Sequence, residues 1–196
     1  MKSPGPEKRV PIFGDGGLEA GYLRPVTRDF RVALPGCATL FAKWRNENPT
    51  LSSVPFTATP EGTARWLDVQ VLGRDDRLLF LIVSEEEEKI GHIGLSSFDF
   101  AERSCEVDAV LRGNRTAAPG MMTFALRALV GWGIEMLRPS VIRLRVFEDN
   151  RHAIEFYERN GFLAEGRGPA GPGKTYLVMR YRAEGAENTA NRGNQD

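Results

Sequence analysis

The chain has 196 residues, 41% of them hydrophobic, and its 26 Lys and Arg balance 26 Asp and Glu to a formal net charge of zero. That length fits one domain with ragged ends, large enough to bury a core without disulfide or metal staples. Zero net charge argues against a protein that coats nucleic acid, and no run approaches 18 apolar residues, so neither a nucleic-acid partner nor a membrane span is expected. Two cysteines, Cys37 and Cys105, make neither a disulfide framework nor a zinc site. No metal is expected, and a reducing, cytoplasmic setting is the default. Only His92 and His152 are available for histidine chemistry.

Met1–Gly21 holds Pro4, Pro6, Pro11 and five glycines, and it reads as a flexible N-terminal segment without the apolar stretch of a secretory signal. Tyr22–Val26 is a short strand. Ala38–Asn46 is a helix with Leu40, Phe41 and Trp44 on one face, ended at Asn48-Pro49. Thr59–Leu72 is a second helix, with Thr59 as N-cap and Pro60 in its first position. Leu78–Ser84 is an apolar run suited to a strand buried on both faces, and Glu85–Glu88 is a solvated turn. Lys89–Ser97 and Arg103–Leu111 follow as strands of an antiparallel meander.

Gly120–Leu137 is the strongest helix, with Met122, Ala125, Leu126, Leu129, Trp132 and Met136 at helical spacing. Val141–Phe147 is a strand. A helix capped by Asp149 or Asn150 runs to Arg159 and stops at Asn160-Gly161. Phe162–Glu165 and Thr175–Tyr181 complete the sheet, and Ala183–Asp196 reads as a disordered tail. The strand, helix and strand from Arg103 to Phe147 form a βαβ crossover, so its two strands are expected to be parallel neighbours in a mixed sheet.

The chemistry concentrates where the strand ending at Leu111 passes through a loop of small residues into the helix opening at Gly120. A helix start offers free N–H groups and the positive end of its dipole to an anion. Arg112 and Arg115 add charge there.

Three ordered blocks resemble the GNAT superfamily of acyl-CoA-dependent N-acyltransferases. Arg115-Thr-Ala-Ala118-Pro-Gly120 is similar to the family's Arg/Gln-x-x-Gly/Ala-x-Gly/Ala loop, with Ala118 in place of the commoner glycine. Leu144–Asn150, Ala153, Tyr157 and Gly161-Phe162 resemble its later strand, helix and closing strand. Ile90-Gly-His-Ile-Gly-Leu95 with Glu106–Leu111 resembles its central meander. Fainter similarity at Leu23-Arg-Pro-Val and Trp44-Arg-Asn46 points to the ribosomal-protein-acetylating branch, which also contains small-molecule enzymes.

The resemblance implies an α+β GNAT fold spanning Tyr22–Arg182. Its sheet would be mixed and mostly antiparallel, with a splayed parallel pair and helices on both faces. It implies acetyl-CoA, or another acyl-CoA, as co-substrate and no metal. The pyrophosphate would sit on Arg112, Arg115, Thr116, Ala117, Ala118, Pro119, Gly120 and Met121. The pantetheine arm would lie along Val110 and Leu111, with Asn150 and Ala153 beside it. A backbone N–H near Val110 would polarise the thioester carbonyl.

Tyr157 lies seven residues after Asn150, two helical turns on, so both project from one face. The resemblance makes Tyr157 the acid that protonates the departing thiolate. Glu106 is the first candidate base and Asp108, on the same strand face, the second. Asp108 is also a candidate grip for the acceptor amine. Trp44–Phe56 and the loop after Phe98 are expected to line the acceptor side. The acceptor is a small-molecule or peptide amine, and a homodimer is left open. A GNAT domain that binds acyl-CoA or a partner without catalysis is the alternative. A nucleotide-binding α/β module would use the same anion site.

Overall fold

The computed structural model describes residues 1–3, 8–51, 56–171 and 173–182. In chain order the elements are β1 (Val10–Phe13), β2 (Glu19–Pro25), the single turn α1 (Phe30–Ala33) and α2 (Cys37–Asn46). A 3-10 turn (Pro49–Leu51) and α3 (Pro60–Trp66) follow, the latter continuing as a π-helical segment over Leu67–Leu72. Next come β3 (Arg77–Ser84), β4 (Lys89–Asp99), β5 (Ser104–Arg112), α4 (Met121–Leu137) and β6 (Val141–Phe147). The chain closes with α5 (Arg151–Glu158), β7 (Phe162–Pro169) and β8 (Thr175–Tyr181).

One eight-stranded sheet carries the fold, in the order β1-β2-β3-β4-β5-β6-β8-β7. Every neighbouring pair is antiparallel except β5 and β6, the strands of the crossover through α4. The side-chain period of two divides β3 between two cores. Phe80 and Ile82 pack with α4 residues Ala125, Leu126 and Leu129 on one face. Leu79, Leu81 and Val83 pack on the other with Phe41 and Trp44 of α2 and with Leu67 and Val71. Each such side chain contributes about 1.5–3 kcal/mol by leaving water, which is why the unbroken apolar run holds a central position. Among the described residues no helix is long and apolar enough to cross a membrane.

Three local readings are corrected. The segment Met1–Gly21 is not a tail throughout. Val10–Phe13 pairs with β2, with Val10 and Ile12 buried, and Lys2 Nζ donates to the carbonyls of Val71 and Arg74. Pro11 obscured this strand, but an edge strand tolerates proline. The helix from Thr59 is capped as expected, the Thr59 hydroxyl accepting from Gly62 N at 3.0 Å, but it loosens to π turns beyond Trp66. The α4 stripe stops short of Met136, which is 61% exposed, while Val130 and Gly133 are buried in its place. Ala183–Asp196 lies outside the described residues.

Candidate active site

The register of the sheet creates the site. β5 and β6 pair from Ser104↔Val141 to Val107↔Leu144 and then separate. Beyond that point β5 stays bonded to β4, and β6 to β8. The edges Asp108–Arg112 and Arg145–Phe147 therefore face each other across an open slot. A bulge sharpens the split. Ala109 has φ +50, and the β4–β5 register shifts between Gly94↔Asp108 and His92↔Leu111. Such a bulge bends its strand and re-aims the side chains beyond it. Val107 packs toward α4 while Leu111 packs toward α2.

The slot opens into a cavity of about 850 Å³. Its floor and one wall are Val107–Arg112, Arg145–Phe147, Gly120, Met122 and Thr123 of the α4 start, and Asn150, Ala153 and Tyr157 of α5. The opposite wall comes from Phe41 and Arg45 of α2, Phe56, Trp66 of α3, Arg77 and His92. Phe98 and the turn after it are not in this lining. That hairpin joins the paired end of β5, away from where the strands separate, which corrects the expected position of this loop.

The small-residue loop is built by side-chain bonds. Asn114 Oδ1 accepts from Thr116 N at 3.1 Å, Ala117 N at 3.2 Å and Thr116 Oγ1 at 3.0 Å. Ala118 at φ +45 and Gly120 at φ +82 turn the chain into α4. The N-cap Gly120 needs a conformation that disfavours a side chain. Pro119 precedes the helix, and Met121 is buried beneath it. Arg112 folds back to donate to the carbonyls of Asn114, Arg115 and Ala117, so it braces the loop. Arg115 donates to Asn48 Oδ1 at 2.7 Å and borders a neighbouring depression outside the main cavity. Gly113 ties this loop to α2, since a Cβ there would lie 2.0 Å from the Trp44 indole.

Tyr157 and Asn150 do share the cavity. Asn150 Oδ1 caps α5 by accepting from Ala153 N at 3.2 Å, and its Nδ2 makes no hydrogen bond among the described residues. The Tyr157 ring packs edge-on against Phe156 and Phe162. Burial, and secondarily the negative charge of Asp108, push its hydroxyl well above the usual tyrosine range, so it stays protonated.

The two carboxylates of β5 have different fates. Cys105 and Val107 face the α4 core, so Glu106 and Asp108 face the other layer as expected. Glu106 Oε2 accepts both Nε (3.1 Å) and Nη2 (2.8 Å) of Arg145, bridging β5 to β6 at the base of the split, and it does not line the cavity. Asp108 does line it, paired with Arg77 Nη2 at 2.5 Å and accepting from Ala109 N at 2.6 Å.

His92 is buried, and it also borders the cavity. Its Nδ1 lies 2.6 Å from the Ala109 carbonyl, which only accepts, so Nδ1 carries the hydrogen and Nε2 is an acceptor without a hydrogen bond among the described residues. Burial pushes its pKa down to about 4 despite that bond, so the ring is neutral at pH 7. Arg45 and Phe56 fall within the segment expected on the acceptor side, whereas Trp66, Arg77 and Arg145 had no distinguishing pattern in the sequence, because their convergence depends on α3, β3 and β6 packing together.

The comparisons agree with this geometry. A family model described as an acetyltransferase (GNAT) domain matches residues 22–163. The acetyltransferase PseH of Campylobacter jejuni (subsp. jejuni serotype O:23/36, strain 81-176) is 24% identical over 123 residues, 63% of this chain and 74% of that protein. Among solved structures, the ribosomal L7/L12 alpha-N-protein acetyltransferase RimL superposes with TM-score 0.70 at 16% identity, covering 92% of this chain and 98% of RimL. A spermidine N-acetyltransferase SpeG variant from Vibrio cholerae gives 0.60 at 20% identity, covering 81% and 93%. At such identities the two structures speak for the fold. The split between β5 and β6, the loop before α4 and the match across residues 22–163 together lead to one assignment: the chain belongs to the GNAT family of acyl-CoA-dependent N-acetyltransferases.

Proposed function

We propose that this protein moves an acetyl or other short acyl group from acyl-CoA directly to a primary amine within a ternary complex. The observation that carries the reading is the unpaired β5 edge facing β6, with buried, protonated Tyr157 in the cavity behind it. Acetyl-CoA supplies a thioester carbonyl and a thiolate leaving group. The residues present fit it: an open strand edge at Val110-Leu111 for an extended amide-bearing arm, and the N–H groups of Ala118 and Gly120, where the loop turns into α4, for its pyrophosphate. Asn150 Nδ2 and Ala153 flank the arm. Arg112 shapes the loop, and Arg115 contributes charge at its rim.

Tyr157 donates its proton to the departing sulfur. A backbone N–H near Val110 meets the charge that develops on the carbonyl oxygen. Asp108 and Nε2 of His92 receive and orient the amine, and the amine's proton passes to one of them or to water. Glu106 holds the split strands through Arg145, a positioning task in place of the base expected for it. Direct transfer is favoured because Cys37 and Cys105 are buried outside the cavity, with burial pushing each thiol up to about 11. Free-thiol release from acetyl-CoA in the presence of an amine panel tests the reading. Amine-dependent release is expected. Tight acetyl-CoA binding without release from any amine would make the protein a binding domain.

A further inference from the structure

We propose that the acceptor of this transferase is a primary amine that also carries an anionic group, a carboxylate or phosphate, and that Arg45 holds that group. The inference rests on the acyl-transfer reading above and narrows its acceptor.

The cavity lining contains five arginines and a single carboxylate, Asp108, among the described residues. Four of the arginines are already engaged. Arg77 pairs with Asp108, Arg145 with Glu106, and Arg159 lies 3.9 Å from Glu155. Arg112 is spent on three loop carbonyls. Arg45 differs from all of them. It is half-buried, its Nη1 donates to the Asn48 carbonyl at 2.8 Å, and its guanidinium stacks 4.9 Å over the Phe56 ring. It has no carboxylate partner among the described residues. Burial alone lowers its pKa, the mark of a cation paying for desolvation without a counter-charge. With Nη1 bonded to Asn48, the remaining N–H donors are left for the cavity, in the planar fork that suits a carboxylate or phosphate.

Arg45 stands on the same wall as His92, and Asp108 faces that wall through its pair with Arg77. Phe41, one turn before it on α2, packs on His92 with ring centroids 4.8 Å apart. His92 senses the charges of Asp108, Arg77 and Arg45 together. One small molecule can therefore present its amine to Asp108 and His92 and its anion to Arg45, with Phe56 and Trp66 alongside its body. A polyamine fits poorly. It needs several carboxylates, whereas the cavity lining offers one among the described residues, already shared with Arg77.

Acceptors that differ only in charge test this: L-phenylalanine against L-phenylalaninamide, and O-phosphoethanolamine against ethanolamine, with spermidine as the polycation. The first pair reads carboxylate and the second phosphate. In at least one pair the anionic member is expected to show a kcat/KM about tenfold or more above its neutral partner, with spermidine the poorest. Arg45→Ala should raise KM for that acceptor about tenfold and erase the preference, affecting KM far more than kcat. Arg45→Lys should restore part of it. Equal rates within both pairs, spermidine as best acceptor, or a preference that survives Arg45→Ala overturns the proposal while leaving acyl transfer intact. If no acceptor releases thiol, the acyl-transfer reading fails separately, and binding decides the anion site. Melting shifts by L-phenylalanine or O-phosphoethanolamine in the presence of CoA, seen with the parent chain and lost in Arg45→Ala, support it; their absence from the parent chain overturns it.

Discussion

The two walls of the cavity are made differently. The wall proposed for acyl-CoA is backbone and small side chains: a strand edge freed where β5 leaves β6, a loop turned by Ala118 and Gly120, and the start of a 17-residue helix. The acceptor wall is charged and aromatic side chains brought from α2, α3, β3 and β4: Phe41, Arg45, Trp66, Arg77 and His92. A co-substrate recognised through backbone groups leaves a compact trace in the sequence, because spacing and small residues are what it needs. An acceptor recognised through side chains from distant segments leaves almost none.

Substitutions on the two walls should separate in kinetics, which gives the contrast its tests. The largest effect is expected at Tyr157. Tyr157→Phe keeps the packing against Phe156 and Phe162 but removes the proton, so kcat should fall about 100-fold or more with little change in KM for acetyl-CoA. Next, Asp108→Asn should lower kcat/KM for the amine by about ten- to a hundredfold. Glu106→Gln should cost only a few-fold, because that carboxylate braces strands outside the cavity. A larger loss at Glu106, greatest at low pH, would return the role of base to it.

Stability probes come after these. His92 titrates near 4 in the folded protein against about 6.5 unfolded, so the unfolded chain binds more protons between those values. Stability should therefore fall as pH drops from 6.5 toward 4, by on the order of 3 kcal/mol from this residue. Urea unfolding at pH 7 and pH 4.5 checks it. His92→Phe should flatten the difference if the ring is the source. Gly113→Ala forces a methyl group into the Trp44 indole where the loop before α4 packs on α2, and should cost about 1–3 kcal/mol, read as a lower Tm. Asn150→Ala removes the α5 cap and should cost about 1 kcal/mol.

The same division explains what was legible in the sequence. The strands Val141–Phe147 and Thr175–Tyr181, the Thr59 cap and the left-handed stop at Gly161 follow from local rules of spacing and turn chemistry. So does the parallel β5–β6 pair, because a crossover helix requires it. The β1 strand was hidden by Pro11 and the glycines around it, and its place depends on pairing with β2, a tertiary fact. Within the site, Tyr157 and Asn150 could be paired by helical period. The choice between Glu106 and Asp108 could not, since both lie on one strand face. It turns on Arg145 and Arg77, which reach them from different strands. His92 carried no signal beyond being one of two histidines, and its ring is held by the carbonyl that the bulge at Ala109 presents to Nδ1.

The claim on which the rest depends is that the slot between β5 and β6 binds acyl-CoA. Thermal unfolding with acetyl-CoA, ATP and NAD tests it most directly, since a ligand that binds only the folded state stabilises it. At a hundredfold excess over Kd, acetyl-CoA should raise Tm by on the order of 5–10 °C while ATP and NAD do little. No shift with any acyl-CoA, or a larger one with ATP or NAD, would contradict it.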